Sequence, residues 1–520
     1  MVQIEIDQLL FMAGMGRWNY ELIGILLLIC LIQSPFYTFI PFMFAKINYM
    51  CEVDAYYENV TFSNNQCLYS INGSQWIDCP KFRFLPSSEF KTSYVSEFSL
   101  VCTNEPLTEH LMSALMIGDV IASCIGTFLM DAFGRRKFLI FNTIQLFLVY
   151  TYYLFIPSEK YIWIAVIFDG AGSLSIYMVS SILLTECLPL HLRAVGTGAA
   201  EAFSGIGITF SAIISFLFPT WKMYQLLRCF IPIAIAIFLA IFYIDESPRW
   251  LLENSKYERL ETTIIRVFNK NNTNIPKIVR DQLHLLKAGS ENTNIKTENN
   301  IRFWLLFRTF KTAIYMIILA MCWTFCVIAF FGLIFGPELF NLSSHAFFVL
   351  NGLSEIPACI FAVYFLNKVG RKFTNLASFL FCGLSLLLSV SISSNVFWNV
   401  MRLIFASASK MFASSSFIVI YLWTGELMPT NMRGIGMGIT CGFARTIAIG
   451  FPELIKYLQK IWTPLPVLFI AVFGIIAGIC SLILPETMGE LIPDNLTEYE
   501  CFGTEGYKKL KTERQKLLSN

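Results

Sequence analysis

Residues 185–198 read TECLPLHLRAVGTG and residues 425–438 read GELMPTNMRGIGMG. Glu186, Pro189, Arg193, Gly196 and Gly198 thus return, with every spacing kept, as Glu426, Pro429, Arg433, Gly436 and Gly438. The offset is 240 in a chain of 520 residues. Two further matches keep the same order: FGRRK at Phe133–Lys137 returns as VGRK at Val369–Lys372, and Asp245-Glu246-Ser247 returns as Pro485-Glu486-Thr487. A chain that contains itself twice is built from two copies of one structural unit.

Composition identifies the solvent of that unit. Hydrophobic residues make up 56% of the chain and charged residues only 14%, against about 45–50% and about 25% in a soluble domain, so the apolar surplus must face lipid. The formal charge of +2 supplies no basic face for nucleic acid. A membrane helix needs about 20 mostly apolar residues, and twelve stretches qualify: 20–44, 108–130, 138–156, 161–185, 194–218, 226–244, 312–336, 346–366, 373–393, 398–425, 433–455 and 464–485. Six precede the polar segment 245–311 and six follow it, so the copies share one orientation. The reading is an all-α membrane protein with twelve transmembrane helices in two parallel six-helix repeats, the plan of the major facilitator fold, with a site between the halves near midplane. Its parts are an N-terminal half, 1–244, a cytoplasmic linker with short helices, 245–311, a C-terminal half, 312–486, and a cytoplasmic tail, 487–520.

Basic residues orient the chain, because Lys and Arg accumulate in cytoplasmic loops. With both termini inside, 26 of the 38 Lys and Arg lie in inner segments, 12 of them in 245–311. The first span reads as a permanent signal anchor, since residues 1–16 contain no Lys or Arg and no cleavage site. The external segment 46–107 holds Cys51, Cys67, Cys79 and Cys102, which allow three disulfide pairings. Sequons at Asn59, Asn72 and Asn341 fall outside and are candidate glycosylation sites; those at Asn271 and Asn495 fall inside and should be silent.

Charges left inside spans mark function, because each costs at least about 2.5–3.5 kcal/mol at midbilayer unless it is paired or hydrated. They are Asp119 in the second span, Asp169 in the fourth, Glu201 in the fifth, Glu355 in the eighth, Lys410 in the tenth and Arg445 in the eleventh, with Arg402 nearer an outer end. The third, ninth and twelfth spans have none, and the sixth has only Arg228 near its outer edge, so these four are expected to face lipid or supporting helices. Asp119 and Glu355 differ by 236, the offset of the neighbouring GRK loops, which predicts two equivalent acids facing one another across the axis. By the 240 offset Asp169 falls beside Lys410, a second expected cross-axis pair. Arg445 suits an anionic group because its planar fork donates two hydrogen bonds and keeps its proton. Tyr37, Trp323, Phe331 and Tyr421 are the aromatic candidates for stacking on a flat organic ligand. The loop residues Asp131, Gly134, Arg135, Glu186, Arg193, Gly370, Arg371, Glu426 and Arg433 read as a latch closing the inner side between the repeats.

Across nearly its whole length the sequence resembles the organic cation, anion and carnitine transporters within the major facilitator superfamily. The resemblance rests on AGMGRWNYELI, SEFSLVC, MDAFGRRK, TECLPLHLRAVG, DESPRWLL, SEIPA and YLWTGELMPTNMR. It implies a plasma-membrane secondary transporter of small organic ions that works by alternating access. It also implies an anionic or zwitterionic ligand, since anion and carnitine carriers tend to have Arg at the place of Arg445. Cys359, four residues after Glu355, stands where many anion carriers have Lys. The expected ligand order is organic anions, then carnitine-like zwitterions, then cations. No GxxxxGK[ST] loop is present for ATP, no His or Cys spacing suggests a metal, and no cofactor or enzymatic activity is expected. The expected partners are the lipid bilayer, a small organic ion and, for coupling, a counter-transported solute or a proton. A receptor that binds without transporting is the competing class.

Overall fold

In the computed structural model, residues 6–34, 38–53, 60–63, 66–71, 75–86, 89–156, 161–189, 192–276, 279–280, 303–332, 343–392, 396–428, 432–489, 493 and 496–503 are described. Asn59, Asn72, Asn341 and Tyr37 lie outside them. Among the described residues, nine helices are long and apolar enough to cross a membrane: His110–Phe133, Arg135–Phe155, Ile162–Cys187, Arg193–Leu217, Trp221–Phe242, Phe310–Gly332, Ser344–Lys368, Arg371–Ser391 and Val400–Leu427. We call these spans 2–10. Gly434–Ile449 and Phe451–Ile461 form a tenth crossing bent by 44° at Gly450, span 11. The shorter apolar helices Arg17–Gln33 and Leu465–Ser481 take the places of spans 1 and 12.

Large apolar side chains are exposed on the charge-free spans and on charged ones alike, among the latter Phe128 of span 2, Phe216 of span 5 and Ile360 of span 8. Span 3 exposes Phe141, Leu148 and Phe155, span 9 exposes Phe373, Phe381 and Leu384, and span 12 exposes Val472, Ile476 and Ile479. Span 6 exposes Ile231, Ile235, Phe238 and Phe242 but differs from expectation at its outer end, where Arg228 is fully buried. That residue sits in a π-helical segment, Gln225–Phe230. Its Nε donates to Ser211 Oγ at 2.7 Å, Nη1 to the Ile32 carbonyl at 3.2 Å, and Nη2 to the Leu31 and Gly207 carbonyls and Ser34 Oγ at 2.9, 3.1 and 2.7 Å. The guanidinium thereby supplies donors to the carbonyls freed where span 1 ends, groups that lipid could not satisfy.

The external segment is a small disulfide-bonded β-unit that periodicity did not reveal. β1 (Tyr49–Glu52) pairs antiparallel with β5 (Lys81–Phe84), while β2 (Val60–Phe62), β3 (Leu68–Ile71) and β4 (Ile77–Asp78) form a three-stranded sheet. Of the three possible pairings the structure has Cys51–Cys79 and Cys67–Cys102. Glu97 ties this unit to the start of span 6, accepting from Trp221 Nε1 and Lys222 Nζ at 2.7 Å each.

On the opposite side, Pro248–Glu253 and the amphipathic Tyr257–Lys270 pack beneath the N-terminal half. Asn271 holds the start of span 1: its Oδ1 accepts from the Trp18 amide at 3.0 Å and its Nδ2 donates to the Gly14 carbonyl at 3.1 Å and Asn19 Oδ1 at 2.9 Å. An asparagine so engaged serves packing at the start of span 1.

Candidate functional site between the two halves

Two seams join the halves. One apposes span 2 to span 11, the other span 5 to span 8, and both are closely packed along their length. In the first seam Ser113 Oγ donates to the Ile449 carbonyl at 2.8 Å and His110 Nδ1 lies 2.8 Å from Glu453 Oε1 towards one end. Towards the other end, Gly438 leaves room for Ser123 and Thr127, and Gly442 for Cys124. In the second seam, His345 Nε2 is 3.2 Å from Ser215 Oγ at one end, and Gly198 accommodates Cys359 and Val363 at the other. Gly205 and Gly352 meet in between, where a Cβ on either would fall 2.5–2.6 Å from the other's carbonyl oxygen. The repeat explains this likeness: Gly198 and Gly438 differ by 240, and Cys359 and Val363 differ from Ser123 and Thr127 by 236.

Charged side chains meet where the seams pass the middle. Arg445 Nη1, on span 11, donates to Asp119 Oδ2, on span 2, in a pair that crosses between the halves; both residues are buried. Asp119 stands just before a π-helical segment, Ala122–Gly126, and such a widened turn offsets the side chains that follow it against the facing helix. Asp119 Oδ1 is buried without a hydrogen-bond donor among the described residues. Beside the other seam, within the C-terminal half, Lys410 Nζ donates to Glu355 Oε1 at 2.8 Å and to Ser414 Oγ at 3.0 Å, while Ser414 Oγ donates to Glu355 Oε1 at 2.8 Å. The same ammonium lies 3.4 Å from the Phe330 ring centroid, a cation–π contact. Glu355 Oε2 is buried and has no donor among the described residues.

Glu201, on span 5, completes the group. Its Oε1 accepts from Tyr177 Oη of span 4, and the charges acting on it are those of Glu355 and Lys410. It lies between Gly198, which packs on Cys359, and Gly205, which packs on Glu355, so it belongs to the face turned to span 8. Two charged groups therefore lie between the halves, Asp119 with Arg445 at one seam, and Glu355 with Lys410 and Glu201 with a phenol at the other.

Several expectations change. Asp119 and Glu355 do not form a facing pair of acids, because each has a cation of its own. Asp169 does not meet Lys410; inside the N-terminal half it accepts from Ser173 Oγ at 3.1 Å and Tyr153 Oη at 3.4 Å. Trp323 is fully buried and donates through Nε1 to Thr424 Oγ1 at 3.0 Å, and its ring packs edge-on against Phe417 and Tyr421. Phe331 is likewise buried, packed on Phe330. Tyr421 is half-buried, and the charges of both Arg445 and Glu201 act on it, so it stands beside the central group.

The loop residues assemble two matching clusters, and the ion pairs of Arg135 and Arg371 run within their own halves. Arg135 Nη2 donates to Glu186 Oε1 at 2.9 Å and to Asp131 Oδ1 at 3.1 Å. Arg371 grips Glu426 with two hydrogen bonds, Nε–Oε2 at 2.9 Å and Nη2–Oε1 at 2.7 Å. Gly134 and Gly370, at φ +100° and +98°, turn the chain into spans 3 and 9. At the first amides of those helices, Glu246 Oε1 accepts from Arg136 N at 3.1 Å, and Glu486 accepts from Arg371 N and Lys372 N at 2.9 Å each. Burial, then the charge of Glu186, pushes the neighbouring Glu253 carboxyl up, with Arg135 opposing. Arg193 opens span 5 half-buried, and the helix of span 11 starts at Arg433, whose side chain is outside the described set. Asp131 does reach across, since a Cβ on Gly434 would meet its Oδ2 at 2.7 Å.

Residues 85–452 match the sequence profile of the Major Facilitator Superfamily. Among characterised proteins, the chain is 27% identical over 433 residues to mouse solute carrier family 22 member 6, covering 83% of this chain and 78% of that protein. It is 28% identical over 424 residues to rat solute carrier family 22 member 2 (81% and 74%), and 26% identical over 423 residues to organic cation transporter 1 of Caenorhabditis elegans (80% and 70%). Among solved structures it resembles the proton:xylose symporter XylE bound to 6-bromo-6-deoxy-D-glucose, with a TM-score of 0.62 at 16% identity, covering 92% of this chain and 98% of that one. A partially occluded, inward-open XylE structure from E. coli gives 0.60 at 15% identity, covering 91% and 99%.

Proposed function

The chain belongs to the major facilitator superfamily, and from that premise we propose how it selects and moves its ligand. It is a multi-pass membrane transporter, not an enzyme, and its work is secondary transport of small organic ions. The two halves alternate access by opening one end of both seams while the other end stays closed. Residues 46–107 face the outside, which suits a segment held by two disulfides. The termini are cytoplasmic, and the membrane is the plasma membrane.

The ligand carries a positive group. One observation supports this reading: at the span 5–span 8 seam two carboxylates, Glu201 and Glu355, face one cation, Lys410, and both central cations are already engaged by acids. Arg445 argued for an anion when read from sequence, but a ligand carboxylate would have to compete for it with Asp119, which already holds it in a buried pair. A cationic head beside Glu201 and the donor-free oxygen of Glu355 instead corrects the local deficit of positive charge. Tyr421, half-buried and acted on by the charges of Arg445 and Glu201, is the candidate for cation–π contact. A zwitterion is the second reading, favoured by Arg445: its carboxylate would share the guanidinium with Asp119 while its cation meets Glu201. Proteoliposomes holding the full-length protein test the assignment by counterflow of labelled tetraethylammonium, L-carnitine and hippurate. Tetraethylammonium or carnitine should exchange and hippurate should not; exchange of hippurate alone would reverse the charge assignment.

A further inference from the structure

We infer that the Glu201–Glu355 pair is also a proton site, so that the protein exchanges its organic cation for a proton. This rests on the reading of a ligand with a positive group and names the ion that moves in return.

The groups facing Glu201 come from each element packed around it: Cys30 of span 1, Tyr177 of span 4, Glu355 and Cys359 of span 8, and Lys410 and Tyr421 of span 10. Only Lys410 is a cation, and its ammonium is bound to Glu355 Oε1 and Ser414 Oγ. Two carboxylates in a closed seam thus share one positive charge, and two like charges in a dry site do not both ionise. An independent observation shows that the pair is short of a hydrogen. Glu355 Oε2 is buried, and among the described residues nothing donates to it. A proton held as a carboxyl O–H on one member of the pair supplies the charge balance.

The position of the pair makes the proton mobile. Glu201 belongs to the N-terminal half and Glu355 with Lys410 to the C-terminal half, so opening the span 5–span 8 seam separates the acid from its neighbour and admits water. The proton is taken from water as a carboxyl O–H on the pair and returned to water on the other side, with no other bond made or broken. A cationic head balances the same deficit, so the proton and the ligand occupy the site in turn. Alternate occupancy of one site by two cations is exchange, not cotransport.

The test uses full-length protein in liposomes with trapped pyranine reporting lumenal pH, and potassium with valinomycin holding the membrane potential at zero. The labelled probe is tetraethylammonium, or carnitine if that is the one that undergoes counterflow. With an acidic lumen, the probe should concentrate inside towards a limit of about tenfold per pH unit for one-for-one exchange. The lumen should alkalinise as it does so, and nigericin should abolish both effects. Glu201→Gln should release no proton per probe molecule that enters. The inference is overturned if wild-type protein carries the probe with unchanged lumenal pH, or if Glu201→Gln keeps the wild-type proton yield. Absence of counterflow for every probe in symmetrical buffer would instead overturn the transport reading beneath it.

Discussion

Arg445→Ala would leave Asp119 buried with neither oxygen supplied by a strong donor, and breaking one side of a buried pair costs about 3–5 kcal/mol. We expect that variant to lose both thermal stability and transport. Arg445→Gln combined with Asp119→Asn should recover most of the melting temperature but not the transport rate, if the pair acts as a gate between halves as well as a structural contact. Melting in detergent and probe counterflow separate the two effects. The members of this pair were legible in sequence, because a charge inside an apolar span announces itself. Their partners were not, since helix rotation, and at span 2 a π-helical turn, decides which side chains meet. Arg228 was the residue most undervalued. Its acceptors are three backbone carbonyls and two hydroxyls, which carry no sequence signature. Arg228→Lys keeps the charge but cannot reach all five, and with hydrogen bonds to charged groups worth about 1.5–3 kcal/mol each it should melt several degrees lower while leaving the external disulfides intact.

At the scale of elements, each half carries its own fastening. Glu246 and Glu486 accept from the first amides of spans 3 and 9, where a carboxylate both fills the missing intrahelical acceptors and meets the positive end of the helix dipole. Glu486→Ala should cost about 1–2 kcal/mol, in the range of a lost N-cap, read as a lower melting temperature. The motifs of these clusters were legible because they repeat, but their pairing within one half was not. Sequence spacing placed both loops at one membrane face and could not say whether the clusters faced one another or their own bundle. The external strands were missed for a different reason: at two to four residues each they are too short for alternation to show, and disulfides do the stabilising that a core would do elsewhere. Non-reducing peptide mapping should recover Cys51–Cys79 and Cys67–Cys102, and a Cys51–Cys67 peptide would contradict the unit described.

For the molecule as a whole, the internal repeat is strict in the seams and broken at their centre. Gly205 and Gly170 are the N-terminal counterparts of Arg445 and Lys410 at the 240 offset, so both central cations belong to the C-terminal half, while the N-terminal half presents glycine. Gly205 lets Glu355 lie against its backbone, and Gly352 does the same for Thr209. This close approach is what a closed span 5–span 8 seam requires, as small residues let membrane helices approach to backbone contact. Gly352→Val sets a branched side chain against the Gly205 carbonyl and the Thr209 backbone, neither of which can yield. Each six-helix half keeps its own core and latch, so the variant should purify as a folded protein while the halves fail to close on that side. Transport should fall by about tenfold or more, the effect of shifting the closed state by about 1.4 kcal/mol, and Cys359, which packs on Gly198 in the same seam, should become faster to alkylate. Gly24→Ala is the control, because a Cβ there meets nothing within 4 Å. If Gly352→Val transported at the wild-type rate with Cys359 no more reactive, closure of this seam would not be part of the cycle.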